Sequence, residues 1–307
     1  QMCIRDRLSG KITDEIFNSI LPTYQLERAY DWYSSHGSPD EQVQILIYLG
    51  RSYFADGDYD KAMSIYTNAL DIAGKNKLNN LIGYTYDYIG DLYREKFMFT
   101  EAIKKYETAA ECFKKENNTD SYACALKNIG REYACIDSLS CAIEILTIAD
   151  SVAANTKDIE VTASINNALG NIYVMREEYD KAEKYFLKAL STGKEKMPDY
   201  VALIDLYTTT DSIDKAKELL SKIPQDDPQY TCSINYLYYQ IHNAERDYKE
   251  ALAYLEEYVD MVDSIVYADS QSKILNIESK YNHLKISQEV DRLKIKQQSY
   301  IIFSVIC

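Results

Sequence analysis

The sequence is short of the residues that break helices. Only 10 Gly and 5 Pro occur in 307 residues, and no Gly follows Gly193. Turn-rich β architectures and glycine-loop nucleotide folds need more of both. Tryptophan occurs once and histidine three times, at His36, His242 and His283, each on a separate predicted element. The phosphate-loop, dinucleotide, zinc-protease and nucleophile-elbow motifs are all missing. No two cysteines are spaced C-x-x-C, and their number is odd. A disulfide framework or zinc knuckle is thereby disfavoured, and buried free thiols are expected at Cys112, Cys124, Cys135, Cys141 and Cys232, with Cys3 and Cys307 near the ends. Positive charge is also in deficit. The net charge is −14 and the pI about 4.8, so direct nucleic-acid binding is not expected.

What remains is 46% hydrophobic and 27% charged, ordinary for a folded chain, with 29 Tyr. It reads as all-α. The sequence repeats. Gly50, Gly90, Gly130 and Gly170 step by 40. Twelve residues after each stands Ala62, Ala102, Ala142 or Ala182. Four further on stands Tyr66, Tyr106, Leu146 or Phe186, and then Ala69, Ala109, Ala149 or Ala189. A tyrosine follows each of the four glycines by three residues, at Tyr53, Tyr93, Tyr133 and Tyr173. Self-similarity at such a period means stacked helical pairs. Small residues allow the two backbones to approach, and the large one is expected to fill the space between neighbouring units. A lone pair cannot bury its apolar face, so units must stack.

Gly50, Tyr53, Gly57, Tyr59, Ala62, Tyr66 and Ala69 together resemble the tetratricopeptide repeat (TPR) family signature. Weaker units follow, one at Tyr207, Ala216, Leu220 and Pro228 after a period shortened to 34. Another begins at Tyr248-Lys249-Glu250-Ala251, with Tyr239 and His242 in place of the usual small residue and tyrosine. His242 is expected to be a packed or groove-edge residue. The resemblance implies a right-handed superhelical solenoid of about six helical hairpins, followed by a long C-terminal helix. We place an N-terminal helical pair at 8–40 and the repeat array at 41–260. Residues 1–7 match no helical pattern and read as a non-native leader, similar to an adaptor translation.

Beyond 260 the pattern changes. Ile274, Ile277, Tyr281 and Leu284 step by 3, 4 and 3, which gives 261–298 an a/d seam. That segment is either a dimerising coiled coil, making the partner a second copy, or a solvating helix on the last repeat. Residues 299–307 are apolar and too few to span a bilayer, which takes ~20. They read as the start of a membrane span, with Tyr300 at the interface and Lys294 and Lys296 outside it, or else as a short apolar cap.

The order of these parts, from Ala29-Tyr30-Asp31-Trp32-Tyr33 through the repeats to the apolar run, is similar to a group of bacterial envelope TPR proteins. That resemblance implies repeats on the periplasmic side, one span and, in some members, a cytoplasmic output domain. The lysines before the apolar run argue for cytoplasmic repeats instead. The expected function is non-enzymatic binding of a protein or peptide, as the sensory part of a membrane-anchored regulator. The alternative is a soluble assembly scaffold. No cofactor or metal is expected.

The ligand face should be formed by the first helix of each unit. Positions three before, one after and four after each glycine are Ile47, Arg51 and Phe54; Asp87, Asp91 and Arg94; Lys127, Arg131 and Ala134; Asn167, Asn171 and Val174. Of these, Arg51, Asp87, Asp91, Arg94, Lys127, Arg131, Asn167 and Asn171 are the candidate peptide contacts. Lys127 and Arg131 beside Asn167 and Asn171 suit an acidic or C-terminal peptide. The lysine-and-asparagine clamp of TPR co-chaperones is incomplete here, so that ligand is not carried over.

Overall fold

A computed structural model describes residues 23–267 except 157, 195 and 226, together with single positions at 271, 285 and 292. The proposed leader, the coiled-coil segment beyond 267 and the apolar run 299–307 lie outside the described residues. Among the described residues every regular element is a helix. The described residues up to Ile65 and from Ile265 on belong to one compact unit and Tyr66–Ser264 to a second.

In the first unit α1 (Thr23–His36) packs on α2 (Pro39–Ala55). Ser38 starts α2 with a reciprocal capping box. Its side chain accepts from the Glu41 amide, and Glu41 accepts from the Ser38 amide at 2.8 Å. Two orphan amides of the first turn are thereby satisfied. Pro39 follows at the position where a missing N–H costs nothing. Helix α2 therefore begins inside the segment assigned above to an N-terminal pair. Thr23 and Ser52 join the two helices through their hydroxyls at 2.7 Å. The Tyr53 hydroxyl donates to Glu27.

Helix α3 (Tyr59–Lys75) leads into the second unit. There the pairs are α4 (Asn79–Glu95) with α5 (Phe99–Lys115), α6 (Thr119–Cys135) with α7 (Leu139–Ala153), and α8 (Ile159–Met175) with α9 (Tyr179–Thr192). Next come α10 (Met197–Thr209) with α11 (Ile213–Leu220), and α12 (Thr231–Ala244) with α13, helical over 248–267. The helices bury one face each, and in the second unit these faces form two core clusters, Ala102–Ile172 and Ala182–Ile241.

The small and large repeat residues interlock within each pair. A Cβ on Gly90 would lie 2.5 Å from the Tyr106 ring, on Gly130 2.6 Å from Leu146, and on Gly170 2.4 Å from Phe186. Tyr106, Leu146 and Phe186 are fully buried, as are Ala102, Ala142 and Ala182. The large residue therefore sits over the glycine of its own pair. The expectation that it fills the gap between neighbouring units is corrected here: a ring on the second helix points at the notch the glycine leaves in the first. Burial of such a side chain stabilises by ~1.5–3 kcal/mol. Contact between pairs is made elsewhere, for example by Tyr66 stacked on Tyr88 at 6.0 Å.

The turn inside each pair needs one left-handed residue. Phe97, Asp137 and Glu177 have φ of 57°, 60° and 59°, at the repeat position where the first unit has Gly57 at 80°. A lysine near the start of the second helix lies over the repeat tyrosine, as Lys181 does over Tyr173 and Lys215 over Tyr207. In the α6–α7 pair Cys141 stands in that outward position.

The cysteines correct a second expectation. All five described ones are free, but Cys135 and Cys141 are exposed and Cys112, Cys124 and Cys232 half-buried. None is a core residue, because alanine already holds the close-contact positions.

Candidate functional site

Helices α6, α8 and the start of α10 enclose a cavity of about 380 Å³. It is lined by Lys127 and Arg131 from α6, by Glu160, Ser164, Asn167 and Asn171 from α8, and by Pro198 and Asp199 from α10. Ala163 and Ala168 give it an apolar floor. Lys127 and Arg131 are four residues apart, so both project from one face of α6. Asn167 and Asn171 repeat that spacing one unit later.

The two sides of the cavity differ in how their polar groups are satisfied. On the far side Asp199 is buried, and the Asn167 side chain donates to its Oδ1 at 2.6 Å. Burial raises the Asp199 carboxyl above the ordinary carboxylate range, with Glu160 adding to the effect and the Asn167 bond opposing it. Asn171 donates to both the backbone and the side-chain oxygen of Asn167, at 3.1 and 2.9 Å. This orients the amides as a short ladder. Glu160 accepts from the Lys194 amide at 2.6 Å and so ties the α9–α10 link to the rim.

On the near side the Lys127 ammonium reaches the Ser164 hydroxyl at 3.5 Å. Neither Lys127 nor Arg131 has a carboxylate within ion-pair distance among the described residues. The two cations therefore face a wall made of the Asn167 and Asn171 amides with the Asp199 and Glu160 carboxyls behind and at the rim.

One unit earlier the same positions are closed. Asp91 accepts from the Tyr106 hydroxyl at 2.7 Å and pairs with Arg94 at 3.3 Å. Asp87 accepts from Asn128 at 3.2 Å. Burial, with Asp91 nearby, pushes the Asp87 carboxyl up to about 7 against the opposing pull of Asn128, Lys127 and Arg94. The buried Glu132 carboxyl is also raised by burial, while Arg94 and Arg131 oppose the rise. Asp91 is thus held by Tyr106 and Arg94 and Asp87 by Asn128, while one oxygen of the buried Glu132 has no hydrogen-bond partner.

Of the eight candidate contacts, the structure brings Lys127, Arg131, Asn167 and Asn171 around one cavity. Asp87, Asp91 and Arg94 form the adjoining closed cluster. Arg51 is on α2 in the first unit. Ile47 and Ala134, counted on the ligand face by their spacing, are buried instead, as apolar residues at the edge of the face will be. Sequence reasoning missed Asp199, Pro198 and Ser164. The signal for the first two was the Met197-Pro198-Asp199 start of a helix just after the repeat period breaks. Among the described residues no cluster of three or more metal-ligating side chains occurs.

The fold and these helical pairs define an all-α solenoid of TPR type. Residues 46–79 and 162–197 each match a profile of the tetratricopeptide repeat. The chain thus contains TPR repeats, whose usual role is as a scaffold for protein interaction. No curated protein matches it in sequence. Solved structures are similar in fold at low identity. A Rap protein complexed with Competence and Sporulation Factor gives a TM-score of 0.58 at 15% identity, over 80% of this chain and 70% of that one. Pseudomonas aeruginosa pilF gives 0.55 at 18%, over 76% and 99%. A tetratricopeptide repeat protein from Parabacteroides merdae ATCC 43184 gives 0.55 at 17%, over 82% and 99%.

Proposed function

We propose that this chain is a non-enzymatic module that holds an acidic peptide segment, or the C-terminal carboxylate of one, in the cavity between α6, α8 and α10. One observation carries the reading. Lys127 and Arg131 lack carboxylate partners at an amide-lined cavity, on a protein of net charge −14. Charge-assisted hydrogen bonds from the two cations orient the ligand's carboxylates. Asn167 and Asn171 meet its backbone amides, and the alanines leave room for the chain to lie close. Asp199 keeps the Asn167 amide turned toward its own carboxyl, which fixes the ladder before the ligand arrives.

The test is capture of an array of acidic and C-terminal peptides by the purified chain, compared with K127E/R131E. Binding lost in a variant of unchanged thermal stability supports the site. Equal binding by the variant overturns it.

The wider setting we propose is the sensory part of a membrane-anchored bacterial regulator, with the repeats on the periplasmic side. It rests on the apolar run 299–307 and on the order of parts along the chain. Among the described residues no helix is long and apolar enough to cross a membrane. Recovery of the native protein in the carbonate-washed membrane fraction, with the repeats open to external protease after outer-membrane release, is the expected result. Recovery in the soluble fraction favours the scaffold alternative.

A further inference from the structure

The cavity carries uncompensated charge of both signs, on opposite sides. Lys127 and Arg131 on α6 have no carboxylate partner among the described residues. Across from them stand two carboxyl groups that no cation of the described residues pairs with. Asp199 accepts one bond, from the neutral Asn167 amide at 2.6 Å. Glu160 accepts one bond, from the Lys194 backbone amide at 2.6 Å. Both line the cavity, and Asp199 is only 3% exposed. A carboxylate so far from water and without a cation is costly, and that cost falls when an opposite charge is brought to it. Burial and the neighbouring Glu160 already push the Asp199 carboxyl upward, as expected for an acid with no cation beside it.

Resting on the peptide-binding function proposed above, we infer that the occupant is a short dipolar peptide with both ends free. Its C-terminal carboxylate and an acidic side chain meet Arg131 and Lys127. Its N-terminal ammonium meets the remaining oxygens of Asp199 and Glu160, which extends the site to the opposite wall. Three observations select this ligand over a longer acidic segment. The charges stand on two sides, so an anion alone satisfies half of them. A volume of about 380 Å³ is at the small end for a ligand pocket, so the occupant must carry both charges within a few residues. Packed helices lie ~8–10 Å apart and three extended residues reach ~10 Å, so the two ends of a tripeptide can stand over α6 and over the α8–α10 side at once. The Asn167 and Asn171 amides then meet the backbone between them. Finally, a protein of net charge −14 repels a polyanion at long range, and a ligand with its own cation much less.

The experiment is calorimetric titration of the full chain with Ala-Ala-Asp, its N-acetylated form and its C-terminally amidated form. The wild type should bind the free tripeptide, and either blocking group should weaken binding at least about tenfold. D199N/E160Q should weaken the free tripeptide by a similar factor and leave the acetylated form as weakly bound as before, because the group it would have met is already gone. A merely structural role for the two acids would weaken both peptides alike and overturn the inference. D199N alone keeps an acceptor for Asn167 and replaces the double variant if that one loses thermal stability. Equal binding of free and acetylated peptide, both abolished by K127E/R131E, would overturn the ammonium contact and leave the acidic-peptide function standing. Capture of longer acidic peptides with no binding of the free tripeptide at millimolar concentration would do the same. If K127E/R131E binds all three forms as the wild type does, that function falls and this inference with it.

Discussion

Two neighbouring units carry charges at the same repeat positions and use them in opposite ways. Asp87 and Asp91 in the α4–α5 pair match Lys127 and Arg131 in the α6–α7 pair, 40 residues on. The first set is consumed by the fold, since Asp91 holds the Tyr106 hydroxyl and Arg94, and Asp87 holds Asn128. The second set faces a cavity and ends at Ser164. For Asp91 the difference lies in the large residue of the unit, since Tyr106 carries a hydroxyl that reaches back to its own first helix and Leu146 has none, and for Asp87 it lies in Asn128 of the next unit. A repeat position is therefore not a function in itself, and whether its charge is available depends on what the second helix offers.

The largest effect expected from breaking this contrast is at Tyr106. Y106A should cost ~3–5 kcal/mol, from the cavity and from the Asp91 carboxylate left with Arg94 alone. L146A removes only packing and should cost at least about 1 kcal/mol less. Urea unfolding of the two variants side by side checks this, and equal losses would mean that the hydroxyl bond contributes nothing.

A smaller effect is expected at Asp87. Its folded carboxyl titrates near 7, above the ~3.9 of an unfolded aspartate. The folded state therefore binds the extra proton between those values, and this residue's contribution falls as pH rises from about 4 through 7. D87N should remove that slope and leave the protein more stable than wild type at pH 8. Thermal midpoints at pH 5 and pH 8 decide it, and parallel pH profiles for the two proteins would refute the assignment.

The smallest effect belongs to the open pair. K127Q/R131Q should change stability by less than ~1 kcal/mol, because only the long Ser164 contact and the pull of the two cations on Asp87 and Glu132 are lost. A marked loss would show that these cations serve the fold and would close the gap between the two units.

Much of this was legible in advance. The 40-residue step of glycine, alanine and large residue is a local pattern, because each pair must solve the same packing problem. It located the helices, their turns and four of the cavity residues by counting alone. The counting failed where partners come from a distance. That Asp91 is occupied depends on Tyr106 from the second helix, and that Asp87 is occupied depends on Asn128 from the next unit. Asp199 enters from a unit whose register is already shifted. The left-handed turn position was legible only at Gly57, since Phe97, Asp137 and Glu177 hold the same backbone without the glycine that would announce it. The cysteines were misjudged because residue type was weighed over helical phase.

Leu146 has one more consequence. In a stacked array each unit is held mainly by its neighbours, so resistance to tension is distributed unit by unit. The α6–α7 pair has the smallest filler over its glycine, no hydroxyl strap to the first helix, and Cys141 where α3, α9 and α11 place Lys61, Lys181 and Lys215 over a tyrosine. The pair with the smallest filler thus borders the cavity that we propose holds the ligand, and a ligand bridging α6 and α8 would act as its brace.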